Sequence, residues 1–228
     1  MKSIVYNMDC MEGMKQYPDK HFDLAVVDPP YGNIDAIGLA DNKKRNSQAA
    51  KRTNYKIFDN IQPDSIYYLE LERISKKQIV WGGNFLGLCG GVIVWNKNGT
   101  AFGEAEIAIC STHKSVKVFE YTWNGMLQEN MKNKEQRIHP TQKPVALYDW
   151  IYKNYLPNGG RVLDTHLGSG SNRIAAYKAG NIDFTGYELD KDYYEAQEKR
   201  FATYLQQQQI NFNQPVKTII EQPKLQFS

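Results

Sequence analysis

Residues 160–188 constrain the fold more than any other stretch of this chain. Within it, Val162-Leu163 reads as a short buried strand ended by Asp164, and Gly168-Ser169-Gly170 as a tight turn behind it. A helix over about 172–179 follows and stops at Gly180, because glycine readily adopts the left-handed conformation that ends helices. Asp183-Phe184-Thr185-Gly186-Tyr187-Glu188 then reads as a second strand that also ends in an acid. Such a unit joins parallel strands. Its glycines stand where backbone must approach a ligand, and its last acid suits ribose hydroxyls. An ordinary βαβ turn uses glycine too, so the Gly-x-Gly alone is weak. The third glycine of a dinucleotide fingerprint is Arg173 here, which disfavours a nicotinamide or flavin cofactor.

The rest of the chain repeats this alternation. Ile4–Asn7 reads as a strand ending at Asp9, followed by a short helix near Met11–Gln16. Phe22–Val27 is a strand. Pro63-Asp64 opens a helix to about Lys76, with Ile66, Leu69 and Ile74 among its apolar positions. Gln78–Trp81, Val92–Trp95, Glu106–Cys110 and Lys117–Tyr121 read as strands, Val145–Asn154 and about 191–206 as helices, the last capped by Asp190. Strands alternating with helices predict an α/β fold, a doubly wound and mostly parallel sheet covered on both faces. Ligands of such sheets bind beyond the carboxyl ends of the strands. Asp9, Asp28, Asp164 and Glu188 all follow strand ends, so one edge can gather all four.

The strand 22–27 runs into Asp28-Pro29-Pro30-Tyr31. Two prolines fix φ and remove two backbone donors. The turn then offers acceptors only, the Asp28 carboxylate and the proline carbonyls, beside the flat face of Tyr31. A planar amine with two hydrogens fits that set. A Pro-rich turn that merely ends a strand fits the tetrapeptide equally well.

Three motifs in one order resolve the choice: Asp28-Pro29-Pro30-Tyr31, then His139-Pro140-Thr141-Gln142-Lys143-Pro144, then Asp164 with Gly168-Ser169-Gly170. Together they resemble the amino-methyltransferases of DNA in the β-type circular order, over about Ile4 to Tyr204. The resemblance implies a Rossmann-like, seven-stranded sheet with one antiparallel strand, S-adenosyl-L-methionine as cofactor and a flipped-out base of double-stranded DNA as substrate. It implies Asp28, Pro29, Pro30 and Tyr31 as catalytic residues. Around the cofactor it implies Glu188 at the ribose hydroxyls and Asp164, Gly168, Ser169 and Gly170 beside the amino-acid part. Thr141 and Lys143 would lie near the cofactor carboxylate, Asp9 near the adenine amine, and Asp28 beside the methyl group. An aspartate-led tetrapeptide is more typical of adenine N6 enzymes and a serine-led one of cytosine N4 enzymes. Transfer to cytosine N4, and a weakly active DNA-binding relic, remain alternatives. The relic is motivated by Thr165-His166, which stands where the family usually has Pro-Phe, so His166 must supply that face of the pocket.

Bounds on size and composition agree. The 228 residues make one domain, 1–206, with a long loop at about 33–62, a small target-recognition region at about 97–137 and a tail, 207–228, that reads as coil. Cys10, Cys89 and Cys110 are an odd, scattered set that fits a reducing, cytoplasmic setting and offers no metal-ligand spacing. None follows a proline, so the Pro-Cys nucleophile of cytosine C5 enzymes is absent. No apolar run approaches membrane-spanning length. A net charge of +3 is only mildly basic, but Lys43, Lys44, Arg45, Lys51 and Arg52 fall in an acid-free stretch suited to phosphates. Trp123, Lys132, Lys134 and Arg137 are further candidate DNA contacts, and a surface β-hairpin with a packed Trp fits the same stretch equally well. Many relatives form homodimers, and no patch in the sequence decides for or against one.

Overall fold

The computed structural model describes residues 1–32, 61–99, 103–124 and 127–212, with backbone alone for 209–212. The elements are β1 (Ser3–Tyr6), α1 (Cys10–Met14), β2 (Leu24–Val27), α2 (Ser65–Ile74), β3 (Gln78–Trp81), β4 (Gly91–Asn96), β5 (Ala105–Cys110), β6 (Val116–Glu120), α3 (Val145–Tyr155), β7 (Gly160–Asp164), α4 (Ser171–Ala179), β8 (Ile182–Tyr187) and α5 (Lys191–Phe212). The doubly wound α/β expectation holds. One sheet has the order β1-β8-β7-β2-β3-β5-β4-β6. Its pairs are parallel except those of β5, which runs antiparallel to both β3 and β4. Eight strands are present among the described residues, one more than the resemblance implies, because β6 adds an edge strand beside β4.

The two halves of the sheet diverge at β7 and β2, which pair side by side. From β7 the chain crosses through α4 to β8 on one side, and from β2 through α2 to β3 on the other. That divergence opens a crevice beyond the strand ends. Alternate residues of β2 serve the two faces, as the period of two demands. Leu24 and Val26 join the core under α3, α4 and α5. Ala25 and Val27 join the one under α1 and α2.

Three points refine the sequence expectations. Ile66 and Leu69 of α2 are 60% and 66% exposed, and Tyr67, Leu71 and Ile74 make its buried face. Spacing of three and four admits both stripes, and the neighbouring α1 selects one. Second, α5 runs to Phe212, so residues 207–212 are helical rather than coil. Glutamine is a fair helix former and simply extends the packed helix. Third, of the two readings of Trp123 the packed one holds: it is a core residue whose indole N–H donates to the Gln142 carbonyl at 2.9 Å. The expected loop falls almost wholly outside the described residues, as do Lys43, Lys44, Arg45, Lys51 and Arg52. Arg173, in place of a third glycine, is buried, bonded to Ser3, Gln197 and Glu198, and stacked on Phe201 at 4.0 Å.

Candidate active site

On the β7–β8 side the acids are held mainly by backbone amides. Asp164 ends β7 and is buried. One carboxylate oxygen accepts from the His166 amide at 3.1 Å, the other from the Asn172 side chain at 2.9 Å. Burial pushes its carboxyl up to about 7, against the pull of those two hydrogen bonds. Glu188 follows β8 and accepts from the Gly168 amide at 2.8 Å and the Asp190 amide at 2.9 Å. Burial raises it as well. Gly170 sits at the N-terminus of α4 with φ +73°, and a Cβ there would stand 3.2 Å from Gln197. Glycine is the residue that takes this conformation without cost. Ser169 is buried, its carbonyl accepting from Arg200 at 2.7 Å. Beside Glu188, Leu189 is 71% exposed, a large apolar side chain at the crevice. Asp9 caps α1, accepting from the Met11 amide at 2.7 Å.

Thr165-His166 is part of a network. The Tyr67 hydroxyl lies 2.6 Å from Thr165 Oγ1, which lies 2.9 Å from His166 Nδ1. Burial pushes the imidazole down to about 4, so it is neutral near pH 7. It keeps an aromatic face in the place where a phenylalanine is usual.

On the β2 side the acid is held by side chains. Asp28 accepts from the Tyr31 hydroxyl on Oδ1 and from Lys143 at 2.5 Å on Oδ2. The Tyr31 ring lies flat against Gly82, where any Cβ would stand 2.0 Å from it. Lys143 is 3% exposed and also reaches Glu106 at 3.0 Å. Burial would lower the lysine, but the two carboxylates hold it well above its ordinary value. Its ammonium is thus engaged by Asp28 and Glu106 on the acceptor side of the site.

The hexapeptide and Asn172 join the two sides. His139 sits over the Gly168 turn and packs edge-on against Tyr193 at 4.4 Å. Its Nδ1 is 3.1 Å from the hydroxyl of the exposed Thr141. Asn172 donates to Asp164 and to the Val26 carbonyl at 3.2 Å, tying β7 to β2 where their ends diverge. The structure therefore brings Asp28, Pro29, Pro30, Tyr31 and Lys143 together around one carboxylate. It brings Asp164, His166, Gly168, Ser169, Gly170 and Glu188 together around one turn. Glu106, Lys97, Tyr67 and Asn172 escaped the sequence reading. The one signal for Glu106 was an acid inside an otherwise apolar strand.

This is an α/β protein whose doubly wound sheet diverges between β7 and β2, with the Asp28-Pro29-Pro30-Tyr31 turn on one side and a glycine turn on the other. Residues 67–199, more than half of the chain, match the DNA methylase family of N6/N4 type. The chain belongs to this family of DNA amino-methyltransferases. The matched stretch holds the hexapeptide and the glycine turn, and Asp28 precedes it. A protein of Escherichia coli (strain K12) named "Putative methylase YubD" is 23% identical over 208 residues, 85% of this chain and 88% of its own. The crystal structure of the M1.HpyAVI–SAM complex superposes with a TM-score of 0.53 at 21% identity, covering 88% of this chain and 100% of that one. PvuII DNA methyltransferase, cytosine-N4-specific, superposes with a TM-score of 0.57 at 12% identity, covering 88% and 87%. At these identities the superpositions carry the fold.

Proposed function

We propose that this protein transfers a methyl group from S-adenosyl-L-methionine to the N6 amine of a flipped-out adenine in double-stranded DNA. The observation that carries the reading is the position of Asp28 at the end of β2, paired directly with β7 and its glycine turn. Amine acceptor and cofactor residues then meet where the two halves of the sheet diverge. The aspartate that leads the tetrapeptide favours adenine over cytosine N4.

The residues present fit the cofactor. Each oxygen of Glu188 and of Asp164 accepts one hydrogen bond among the described residues, which leaves lone pairs for donors. Glu188 would take the ribose hydroxyls, and Asp164, Gly168, Ser169 and Gly170 would flank the amino-acid part. Leu189 and His166 would supply apolar and aromatic faces, with Asp9 and Thr141 at its two ends. The cofactor supplies a methyl group on a sulfonium, whose leaving group is a neutral thioether.

The adenine N6 lone pair is delocalised into the ring, so the amine is a poor nucleophile. Asp28 Oδ1 and the Pro29 carbonyl accept its two hydrogens. Both contacts strengthen as nitrogen becomes tetrahedral and cationic, which is binding of the transition state in preference to the ground state. Asp28 need not be a strong base, because the proton is acidic once nitrogen carries the methyl. Tyr31 stacks on the base, worth about 1–3 kcal/mol. That offsets a flipping cost of a few kcal/mol.

The test is transfer from labelled S-adenosyl-L-methionine to unmethylated DNA, with nucleosides identified by mass spectrometry. N6-methyladenine is expected. N4-methylcytosine would keep the chemistry and overturn the base, and no transfer to varied DNA would overturn the enzyme.

A further inference from the structure

Four charges of alternating sign run through the sheet to the acceptor: Lys97, Glu106, Lys143 and Asp28. Glu106 lies on β5, between β4 and β3. Lys97, just past β4, pairs with Glu106 Oε1, and Lys143 reaches Oε2 at 3.0 Å. Each ammonium also lies over a fully buried indole. Lys97 is 4.8 Å from the Trp95 ring centroid on β4, and Lys143 is 5.4 Å from that of Trp81 on β3. Two lysines over two tryptophans thus flank one carboxylate, on a strand that takes no part in the glycine turn. Lys143 continues the array to Asp28 Oδ2 at 2.5 Å.

The array has an electrostatic consequence. Transfer to an amine develops positive charge at nitrogen, and the negative end of the site must face it. Lys143 alone would largely cancel Asp28. A second carboxylate on the far side of the ammonium offsets that cancellation. It also fixes the ammonium, since a lysine held between two anions cannot turn away from either without leaving a buried charge unpaired. With Oδ2 of Asp28 pinned, Oδ1 is the oxygen offered outward, and in the free protein the Tyr31 hydroxyl takes it.

We propose that Glu106 and Lys143 are positioning residues for the methyl-acceptor site: Lys143 fixes Asp28 through Oδ2, and Glu106 fixes Lys143 and offsets its charge. The inference rests on the methyltransferase reading above. Glu106 itself is held down to about 2, burial being overcome by the two lysines, so it is ionised across the working range. The other groups facing Asp28 are Tyr31 on its own turn, Tyr148 of α3 and Asp164 of β7.

The test uses the full chain, with methyl transfer to DNA measured against pH and S-adenosyl-L-methionine binding measured by calorimetry. Glu106→Gln keeps the shape and removes the charge. It should lower kcat about 10- to 100-fold, the scale of a misplaced reacting group, with cofactor affinity unchanged. The acid limb of its pH–rate profile should move to lower pH, because the positive charge of Lys143 is then uncompensated at the acceptor site. Lys143→Met should move that limb the other way, to higher pH. Opposite shifts are what a merely structural role does not produce. Wild-type kinetics in Glu106→Gln, limbs moving in the same direction, or a loss of kcat matched by loss of cofactor binding would each overturn the proposal. If Glu106→Gln does not fold, Glu106→Asp, which keeps the charge and shortens the reach, decides: lowered kcat with intact cofactor binding supports the proposal, and wild-type kcat overturns it. No transfer by the wild-type chain would overturn the functional reading and the proposal with it. Transfer by wild type with unchanged variants would overturn the proposal alone.

Discussion

The two sides of the crevice hold their acids by opposite means. Asp164 and Glu188 are held mainly by backbone amides of the turns after β7 and β8, and burial raises both. Glu106, on the acceptor side, is held by two lysine side chains that overcome burial and keep it low. Backbone amides are neutral donors whose placement is set by glycine geometry. Ammonium groups bring full charges whose placement depends on long side chains. The first arrangement tolerates side-chain changes and fails when the backbone is altered. The second fails when one charge is removed.

The largest expected effect breaks the acceptor side. Asp28→Ala should lower single-turnover transfer by roughly 10³-fold or more, the upper range for loss of a group that acts on the transition-state charge. Calorimetry should show S-adenosyl-L-methionine still binding, because the glycine turn is untouched. Transfer at wild-type rate would remove Asp28 from the mechanism.

Next, the cofactor side should break through its backbone. Gly170→Val forces a branched residue to φ +73° and presses on Gln197. Urea unfolding should show a loss of about 1–2 kcal/mol, and cofactor affinity should fall with it. Substituting the neighbouring Ser169 by alanine should cost less, since the carbonyl keeps its bond to Arg200 and only the hydroxyl's 3.0 Å contact with Ser171 is lost.

The pH dependence sharpens the comparison. A carboxyl raised from about 4 to about 7 in the fold favours its protonated form there. Its contribution to stability is full below about pH 4 and is lost as the pH rises through about 7. Glu106 has the opposite sign: its contribution is present above its ordinary value and is lost as the pH falls through about 2. Asp164→Asn should therefore flatten the fall in melting temperature between pH 4 and 7. Glu106→Gln should leave that window unchanged and alter only the acid end. Identical pH profiles for the two variants would remove the distinction between the sides.

The smallest effect concerns Tyr31. Tyr31→Phe keeps the ring against Gly82 and removes the hydroxyl that occupies Asp28 in the free protein. One hydrogen bond of about 0.5–1.5 kcal/mol net no longer competes with the amine. The KM for DNA should fall by roughly 2- to 10-fold with kcat retained. A raised KM would mean that the hydroxyl itself contacts the substrate.

Much of this was legible in the chain because it is local. The run Leu24–Val27 is apolar without interruption, as a strand covered on both faces must be. Asp64 and Asp190 announce helix starts, and Gly180 a helix end at φ +75°. The glycine turn and the acids after β7 and β8 are set within a few residues by steric rules that act on the backbone alone. Which stripe of α2 is buried was not legible, since Ile66 and Leu69 satisfy the spacing as well as Tyr67 and Leu71 do. Nor was the partner of Lys143. A charge acts through space on whatever the sheet order places beside it, and Asp28 and Glu106 lie far from it in sequence and on different strands. The residues along the chain thus determine the strands, the turns and the motif that accepts the amine. Only the tertiary structure decides which charges meet, because the antiparallel strand β5, inserted between β3 and β4, carries Glu106 to the far side of Lys143.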